Sequence, residues 1–280
     1  MPLSRRPPRE LEVIALEREQ SLRARLARLR RLVVAYSGGV DSSYLLAVSH
    51  QVLGDAVVGL LADSPSLPRA AFAQAIDLAR ARGIPLQVVN TSEQDDPRYA
   101  RNDERRCYYC KSHLFEATAL VARRWGGAPV AYGYTADDVY DFRPGHQAAQ
   151  EHQVLAPLCE AELGKAHIRV RSRALGLPGW ERPASPCLAS RLAYGTAVTH
   201  ERLAVVEALE RILHQAGIAA ARARYDGTTV RIEVAPEALV RVVDASVREP
   251  LLQQARELGV KFLSLDLEGL VSGKLHRLLE

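Results

Sequence analysis

Hydrophobic and polar positions in the first half of the chain form blocks that predict strands and helices in turn. Continuous apolar runs of strand length, typical of strands buried on both faces, are followed by stretches with helical periodicity. They predict strands at 32–36, 56–61, 86–89 and 128–132, and helices ending near Leu53, at 68–82 and at 111–124. This alternation predicts a parallel sheet covered by helices on both faces, with ligands at the carboxyl ends of its strands.

The link between the first strand and the first of these helices reads Ser37-Gly38-Gly39-Val40-Asp41-Ser42. Glycines let the backbone approach an anion closely, and a helix N-terminus carries about half a positive charge. The lysine of a Walker loop is missing. The link therefore predicts a different cradle for nucleotide phosphates, in preference to a turn whose glycines serve packing alone.

The second half of the chain begins with a proline- and glycine-rich segment at 176–186, which cannot continue a helix. It predicts a boundary near residue 180, with an N-terminal helix and nucleotide domain at 1–180 and a smaller α+β domain at 181–280. Helical periodicity covers 201–215, and two alternating runs around Asp226-Gly227 predict a hairpin. The polar stretch 90–106 is expected to line the active site.

Charge is distributed unevenly along the 280 residues. Residues 1–31 hold nine arginines and four glutamates, so the total of +4 leaves the remaining chain near −1. This balance argues against a nucleic-acid partner, since phosphate contacts dominate such binding. The start instead predicts an amphipathic helix, whose inward side chains are Leu11, Ile14, Leu22, Leu26 and Leu29.

Composition points to a globular protein, because 48% of the residues are hydrophobic and 25% are charged. No stretch has the pattern of a secretory signal or of a membrane helix. We therefore expect a cytoplasmic protein without a membrane partner.

Cys107 and Cys110 stand three residues apart at the expected mouth of a helix, between Arg106 and Lys111. The helix dipole and the flanking cations are expected to lower the thiol pKa values. On the residues alone, the pair is half of a zinc site with His113, a redox disulfide, or part of an iron–sulfur ligand set.

Cys187 has similar surroundings, since a proline precedes it and Ser190 and Arg191 follow. It is the third cysteine that could join an iron–sulfur ligand set with the pair. Cys159 lacks such neighbours and is interpreted as a small buried apolar residue.

The sequence from Ser37 to Ser42 resembles the signature of the PP-loop ATP pyrophosphatases. The resemblance implies an adenine-nucleotide α-hydrolase-like fold and the use of ATP. In that group the loop holds the departing pyrophosphate while a substrate oxygen attacks the α-phosphate, and a second nucleophile then displaces AMP.

Longer motifs resemble the LarE family, the sulfur insertases that build the nickel-pincer cofactor of lactate racemase. The similarity covers nearly the whole chain from about Glu10. Its motifs are 106–111, 133–138, 141–145, 183–191 and the pair Arg222-Ala-Arg224 with Arg231-Ile-Glu233.

The LarE resemblance implies that ATP adenylylates a carboxylate of pyridinium-3,5-biscarboxylic acid mononucleotide and that sulfur then displaces AMP to give a thiocarboxylate. In one branch of the family the sulfur comes from the cysteine matching Cys187, which is left as dehydroalanine. In another branch, cysteines matching Cys107, Cys110 and Cys187 hold a 4Fe-4S cluster that carries a transferable sulfide. All three cysteines are present here, which favours the cluster branch.

Other residues are further candidates, and of these the resemblance supports Arg222 and Arg224 as a clamp for the phosphate of the substrate. Asp41 and Asp137 are candidates near the pyrophosphate and its Mg²⁺. Glu210 and Glu233 are weaker candidates for a divalent-metal site in the second domain. The predicted catalytic residues are Cys187, Asp41, Ser190 and Arg191, and the predicted ligand-binding residues are Ser37, Gly38, Gly39, Asp41, Ser42, Arg222 and Arg224.

Three other functions remain as alternatives: a tRNA thiolase, an amide-forming synthetase, and an iron–sulfur or zinc storage scaffold without turnover. The charge balance disfavours the first, and the intact phosphate loop disfavours the last. The family resemblance implies a homo-oligomer that hands its product to a nickel-inserting enzyme.

Overall fold

The computed structural model describes residues 7–140, 144–182, 186–271 and 274. Their seven strands are β1 (Leu32–Tyr36), β2 (Val57–Asp63), β3 (Leu86–Asn90), β4 (Val130–Tyr132), β5 (Ala221–Tyr225), β6 (Thr229–Val234) and β7 (Phe262–Leu265). Their eleven α-helices are α1 (Arg9–Leu26), α2 (Val40–Leu53), α3 (Arg69–Ala81), α4 (Pro97–Ala100), α5 (Arg106–Arg124), α6 (Pro144–Glu151), α7 (Pro157–Glu160), α8 (Lys165–Ala174), α9 (His200–Gln215), α10 (Leu239–Val243) and α11 (Ala245–Glu257).

The chain folds into two compact units whose segments interleave along the sequence. Unit 1 comprises Met1–Ser64, Arg69–Ser92 and Cys107–Ser185. Unit 2 comprises Pro65–Pro68, Glu93–Arg106 and Pro186–Glu280. Two short segments from the first half of the chain therefore belong to the same unit as its C-terminal part.

Unit 1 is built on a parallel sheet with the strand order β3-β2-β1-β4. In the register, Ala35 of β1 lies opposite Leu60 of β2 on one side and Tyr132 of β4 on the other. Every residue of β1 is buried, because strands flank it on both edges and helices cover both faces of the sheet. The predicted parallel α/β architecture is confirmed.

Helix α1 forms as predicted, but only part of its predicted inward face is buried. Leu22 and Leu26 are buried, Leu11 and Ile14 are half-buried, and Leu29 lies beyond the end of the helix at Leu26. The same face also carries Glu19, which is only 2% exposed. Its carboxylate accepts hydrogen bonds from Arg171 Nε at 2.7 Å, Tyr44 Oη at 2.9 Å and Arg23 Nε at 2.9 Å. These donors satisfy a charge that the amphipathic pattern places in the apolar core.

Unit 2 contains a mixed sheet in the order β5-β6-β7, with β5 and β6 antiparallel and β6 and β7 parallel. The predicted hairpin turn is formed as expected. Asp226 Oδ1 accepts from the backbone N–H groups of Thr228 and Thr229 at 2.8 and 2.7 Å, and Gly227 adopts a φ of 98°. Helix α9 packs against β5, so the predicted smaller α+β region is confirmed.

The helices in and after the polar stretch 90–106 differ from the prediction. Asp96 Oδ1 accepts from the N–H of Arg98 at 2.9 Å and caps the short helix α4 within the stretch. Helix α5 begins at Arg106, five residues before the predicted start at Lys111. Across the described part of the chain, no helix combines the length and apolar character needed to span a bilayer.

Candidate active site

The predicted phosphate cradle forms the turn between β1 and α2. Gly38 has a φ of +74°, and a Cβ there would lie 2.9 Å from the Cβ of Ala75. Ser42 Oγ donates to the carbonyl of Gly39 at 3.2 Å and accepts from the N–H of Ser37 at 3.3 Å. These bonds close the turn around the glycines, and only glycine fits at position 38 without strain.

The outer surface of this turn is open while its base is buried. Ser37, Gly38 and Gly39 are exposed, whereas Ser42 is only 6% exposed. Asp41 lies in the first turn of α2 and is half-buried. The structure thus brings together the five predicted cradle residues at the N-terminus of a 14-residue helix, where backbone N–H groups attract anions.

The motif at 133–138, which follows β4, packs against the start of α2. A Cβ on Gly133 would lie 2.8 Å from the backbone nitrogen of Ser42, so glycine allows the end of β4 to approach the start of α2. The carboxylate of Asp137 is directed to the start of α8, where it accepts from the N–H of Lys165 at 2.5 Å. Asp137 therefore caps α8, and the interpretation of Asp137 as a Mg²⁺ ligand is not supported by this geometry.

Cys107 and Cys110, near the start of α5, lie on one face of that helix. Cys107 is exposed and Cys110 is half-buried, and their spacing of three residues places them on adjacent turns of the same face. A Cβ on Gly145 would lie 3.3 Å from the carbonyl oxygen of Cys107, so α6 packs closely on this first turn. Tyr108 Oη also donates to Glu151 Oε2 of α6 at 2.6 Å. The backbone that carries the pair is thereby held by a second helix.

The predicted three-cysteine ligand set is not assembled as a metal site. Within the described ranges, no group of three or more histidine, cysteine, aspartate or glutamate side chains is placed to hold a metal ion. Cys159, the fourth cysteine, packs at the edge of an apolar cluster around Phe115 and Tyr132. Burial, with the nearby carboxylates of Glu160 and Asp138, raises the pKa of the Cys159 thiol. A raised pKa agrees with its interpretation as a small apolar residue.

In unit 2, Cys187 precedes a short 3₁₀ turn at Leu188–Arg191. We call residues 186–191 the Cys187 loop. The carbonyl of Cys187 accepts from Ser190 Oγ at 2.7 Å, from Ser190 N at 3.0 Å and from Arg191 Nη1 at 3.1 Å. Ser190 and Arg191, both predicted catalytic residues, thus contact the backbone of the predicted sulfur-bearing residue.

Arg191 is held by a buried carboxylate of α9. Its Nε and Nη2 donate to the two carboxylate oxygens of Glu210 at 2.9 and 3.1 Å, and Arg191 is 3% exposed. On β5, Arg224 Nε donates to Glu233 Oε2 at 2.9 Å, and Glu233 is fully buried. Glu210 and Glu233 are therefore partners of arginines, and their interpretation as a divalent-metal site is not supported.

Arg222 lies on the same face of β5 as Arg224, since the two are separated by one residue. Among the described residues, neither a hydrogen bond nor an ion pair reaches its guanidinium. Burial, with the adjacent Arg224 and Arg191 cations, lowers the pKa of Arg222, and Glu210 and Glu233 oppose this effect. The strand thus presents a half-buried cation whose charge is not neutralised by a direct partner.

The comparisons with known proteins decide the family. No family model matches the chain. An uncharacterised protein of Synechocystis sp. is 41% identical over 261 residues, which cover 93% of this chain and 97% of the relative. The pyridinium-3,5-bisthiocarboxylic acid mononucleotide synthase of Lactiplantibacillus plantarum is 33% identical over 261 residues, or 92% of this chain and 94% of the relative. The chain belongs to the LarE family.

A more distant relative supports the fold of this LarE-family chain. The glutamine-hydrolysing GMP synthase of Brucella melitensis is 26% identical over 212 residues, which cover 65% of this chain and 40% of the relative. Together with the four-stranded parallel sheet, this similarity supports the predicted PP-loop fold.

The LarE motifs map onto the site unevenly. Residues 141–143 and 183–185 of two motifs lie outside the described residues.

The sequence analysis did not identify Arg106 as a buried residue that contacts the Cys187 loop, although Arg106 is only 8% exposed. Its Nη1 donates to the carbonyl of Ala189 at 2.8 Å, inside the Cys187 loop. Its position beside Cys107 in a LarE motif could have marked Arg106 as a functional residue. Its partner could not have been predicted, because Ala189 is 83 residues away and no local pattern links the two.

Proposed function

We propose that the protein is an ATP-dependent sulfurtransferase that adenylylates the carboxylates of pyridinium-3,5-biscarboxylic acid mononucleotide and converts them to thiocarboxylates, releasing AMP and pyrophosphate. One observation carries this proposal: the relative named for synthesis of the bisthiocarboxylic product is 33% identical over 92% of this chain. The intact cradle at Gly38 and Gly39 supports the use of ATP.

The cradle binds the β and γ phosphates that leave as pyrophosphate. Its exposed backbone at Ser37, Gly38 and Gly39 offers N–H donors at the positive end of α2. Asp41 would contribute a carboxylate to Mg²⁺, which prefers one or two carboxylates together with phosphate oxygens. These groups stabilise negative charge on the leaving group while the substrate carboxylate attacks the α-phosphate.

The arginines of β5 bind the phosphate of the substrate mononucleotide. Arg224 is fixed by Glu233, so it is orientated before the ligand arrives. Arg222 has no hydrogen-bond or ion-pair partner among the described residues, so its positive charge is available to pair with the phosphate. A phosphate dianion would relieve the repulsion between these neighbouring cations.

Cys107, Cys110 and Cys187 would hold a 4Fe-4S cluster. Thiolates are the usual ligands of such clusters, and the first two cysteines share one helix face that is partly accessible. When bound by three cysteines, the cluster would keep one iron without a protein ligand and so could carry the sulfide that replaces AMP. The protein's own contribution is to fix the backbone of Cys187, through Ser190 and Arg191.

The alternative within the family is sacrificial transfer from Cys187. Its thiolate would attack the acyl adenylate, expelling AMP and forming a thioester, and cleavage of the Cβ–S bond with loss of the α-proton would leave dehydroalanine and the thiocarboxylate. A tRNA thiolase is the other alternative, and the near-neutral charge beyond residue 31 disfavours it.

Several expectations remain proposals. They are a nucleotide domain at 1–180 and a substrate and oligomerisation domain at 181–280, a cytoplasmic location, assembly as a homo-oligomer, and delivery of the product to a nickel-inserting enzyme.

The proposed cluster is tested by purification without oxygen, followed by visible absorption and by iron and sulfide analysis of the wild type and Cys107→Ala. We expect a brown protein with about four irons per chain, lost in the variant. The matched control is Cys159→Ala, which removes a cysteine outside the proposed ligand set. A colourless wild type that loses the mass of H₂S from Cys187 after one turnover would establish the sacrificial mechanism instead.

A further inference from the structure

His146, the third residue of α6, contacts both side chains that flank Gly133. Its Nδ1 lies 2.6 Å from Tyr132 Oη, within hydrogen-bonding distance. Its ring also stacks on that of Tyr134, with ring centroids 4.1 Å apart and an interplanar angle of 1°. His146 therefore holds the residue before Gly133 and the residue after it.

Tyr132, Gly133 and Tyr134 form a tight turn at the end of β4. The N–H of Tyr134 donates to the carbonyl of Tyr132 at 2.9 Å, across Gly133. Both tyrosines are only 7% exposed, and their rings stack with centroids 5.5 Å apart. A three-residue turn has one backbone hydrogen bond to close it, so the contacts of His146 with the two tyrosines add further restraint at both of its ends.

The turn at Gly133 packs against the base of the phosphate cradle. A Cβ on Gly133 would lie 2.8 Å from the backbone nitrogen of Ser42 and 3.1 Å from its Cα. Ser42 in turn closes the cradle through its hydrogen bonds with Ser37 and Gly39. Because packed atoms this close transmit displacement, a shift of Gly133 moves Ser42 and with it the cradle.

The hydrogen bond between His146 and Tyr132 joins groups that are already fixed by packing. Burial lowers the pKa of His146, which favours the neutral ring. A neutral ring with its proton on Nε2 accepts the Tyr132 hydroxyl at Nδ1. Phe115 meets the Tyr132 ring edge to face, with centroids 5.6 Å apart, and restricts its position.

We propose that His146 is a positioning residue for the phosphate cradle. Through Tyr132 and Tyr134 it fixes Gly133 against Ser42, and so holds the cradle in the form that binds nucleotide phosphates. A preorganised site binds its ligand at a lower entropic cost, so loosening this support lowers the affinity for nucleotide. All of these residues lie in unit 1. The inference rests on the proposed function, because it assumes that the cradle binds ATP.

The test is a double-mutant cycle on nucleotide affinity. His146→Phe keeps an aromatic ring to stack on Tyr134 but cannot accept a hydrogen bond, and Tyr132→Phe removes the same bond from its other end. The matched control is His152→Phe, because the His152 ring packs against Phe115 and is not a partner in this bond.

The probe is α,β-methylene ATP with Mg²⁺, because this analogue cannot be cleaved between its α and β phosphates. Its Kd for each protein is measured by isothermal titration calorimetry. Urea unfolding of the same proteins without nucleotide measures their folding separately.

We expect His146→Phe and Tyr132→Phe each to raise the Kd about fivefold, since each removes the same buried hydrogen bond. The double variant should raise the Kd no further than either single variant, and His152→Phe should match the wild type. Such a coupled loss of affinity would show that the bond itself supports the cradle.

An unchanged Kd in both single variants overturns the inference and leaves the proposed function intact. It is also overturned by a double variant whose loss is the product of the two single losses, by an equal loss in His152→Phe, or by a loss that merely follows the unfolded fraction. Tyr132→Phe supplies the measurement if His146→Phe does not fold. A wild type that does not bind the analogue overturns the proposed use of ATP itself.

Discussion

Arg191 and Glu210 form a two-point ion pair, with Nε–Oε1 and Nη2–Oε2 distances of 2.9 and 3.1 Å, inside unit 2. The same guanidinium donates to the carbonyl of Cys187, and Glu210 Oε1 also accepts from the N–H of Ala223 on β5 at 3.1 Å. The pair therefore joins the Cys187 loop to helix α9 and to the strand of Arg222.

Breaking this pair should destabilise the protein strongly. In Glu210→Gln, the buried Arg191 cation loses its counter-charge, and we expect the free energy of unfolding to fall by about 3 kcal/mol in urea titrations. Glu160→Gln is the matched control, because Glu160 and Arg25 form an exposed pair that is worth about 0–1 kcal/mol. Equal losses in the two variants would show that burial of the Arg191 pair has no special effect.

Substitutions of Arg222 and Arg224 should differ in their effects on substrate binding and on the free energy of unfolding. Burial and the neighbouring cations disfavour the charge on Arg222, so Arg222→Met should not lower the free energy of unfolding, but should raise the KM for the mononucleotide by about tenfold or more. Arg224→Met leaves Glu233 without a principal partner and should reduce stability as well. The measurements are urea unfolding and initial rates against substrate concentration. An unchanged KM in Arg222→Met would remove this residue from the phosphate site.

Gly38→Ala should abolish nucleotide use for a local steric reason. Gly38 and Gly54 both have positive φ, but a Cβ at Gly38 would lie 2.9 Å from Ala75 Cβ, whereas one at Gly54 would have no atom within 4 Å. Both variants place alanine at a positive φ, where a side chain is strained whatever the space around it. We expect only Gly38→Ala to lose substrate-dependent AMP formation, measured by chromatography. Comparable activity in the two variants would contradict the assignment of the turn to phosphate binding.

Ionisation of Glu19 should make the free energy of unfolding depend on pH. Burial acts to raise its pKa, but hydrogen bonds from Arg171, Arg23 and Tyr44 outweigh burial and bring the pKa below its usual value of 4.5. The unfolded chain therefore takes up a proton before the folded one, and this contribution to stability is full above pH 4.5 and is lost as the pH falls through the lower, folded pKa.

Glu19→Gln accordingly should be less stable than the wild type near neutral pH, and the difference should shrink in acid. Urea unfolding at about pH 7 and about pH 3.5 measures both free energies. The control is Glu17→Gln, because Glu17 is exposed on the same helix and should show little difference at either pH. A gap between Glu19→Gln and the wild type that widened in acid would contradict the lowered pKa.

The sequence predicts best what depends on local pattern. The apolar runs around Val33 and Leu60 mark buried parallel strands, and Asp226-Gly227 marks a turn, because these features depend on neighbouring residues. The phosphate cradle is equally local, since its glycines, hydroxyls and helix start lie within six positions.

Features that depend on distant partners could not be predicted in the same way. Glu19 lies on the buried face of α1 because Arg171, 152 residues later, satisfies it. Arg106, Glu210 and Glu233 appear in the sequence as ordinary charged residues. Their burial becomes evident only when the fold brings the Cys187 loop beside segment 93–106 and the β5–β6 hairpin. Local periodicity carries no information about such pairings.

We propose that the sulfur comes from a reusable cluster held by Cys107, Cys110 and Cys187. The most direct measurement supplies reconstituted enzyme with excess ATP, substrate and sulfide, counts thiocarboxylate groups formed per chain, and then determines the mass of the protein. We expect more than one thiocarboxylate per chain with an unchanged mass at Cys187. At most one per chain, with conversion of Cys187 to dehydroalanine, would contradict it.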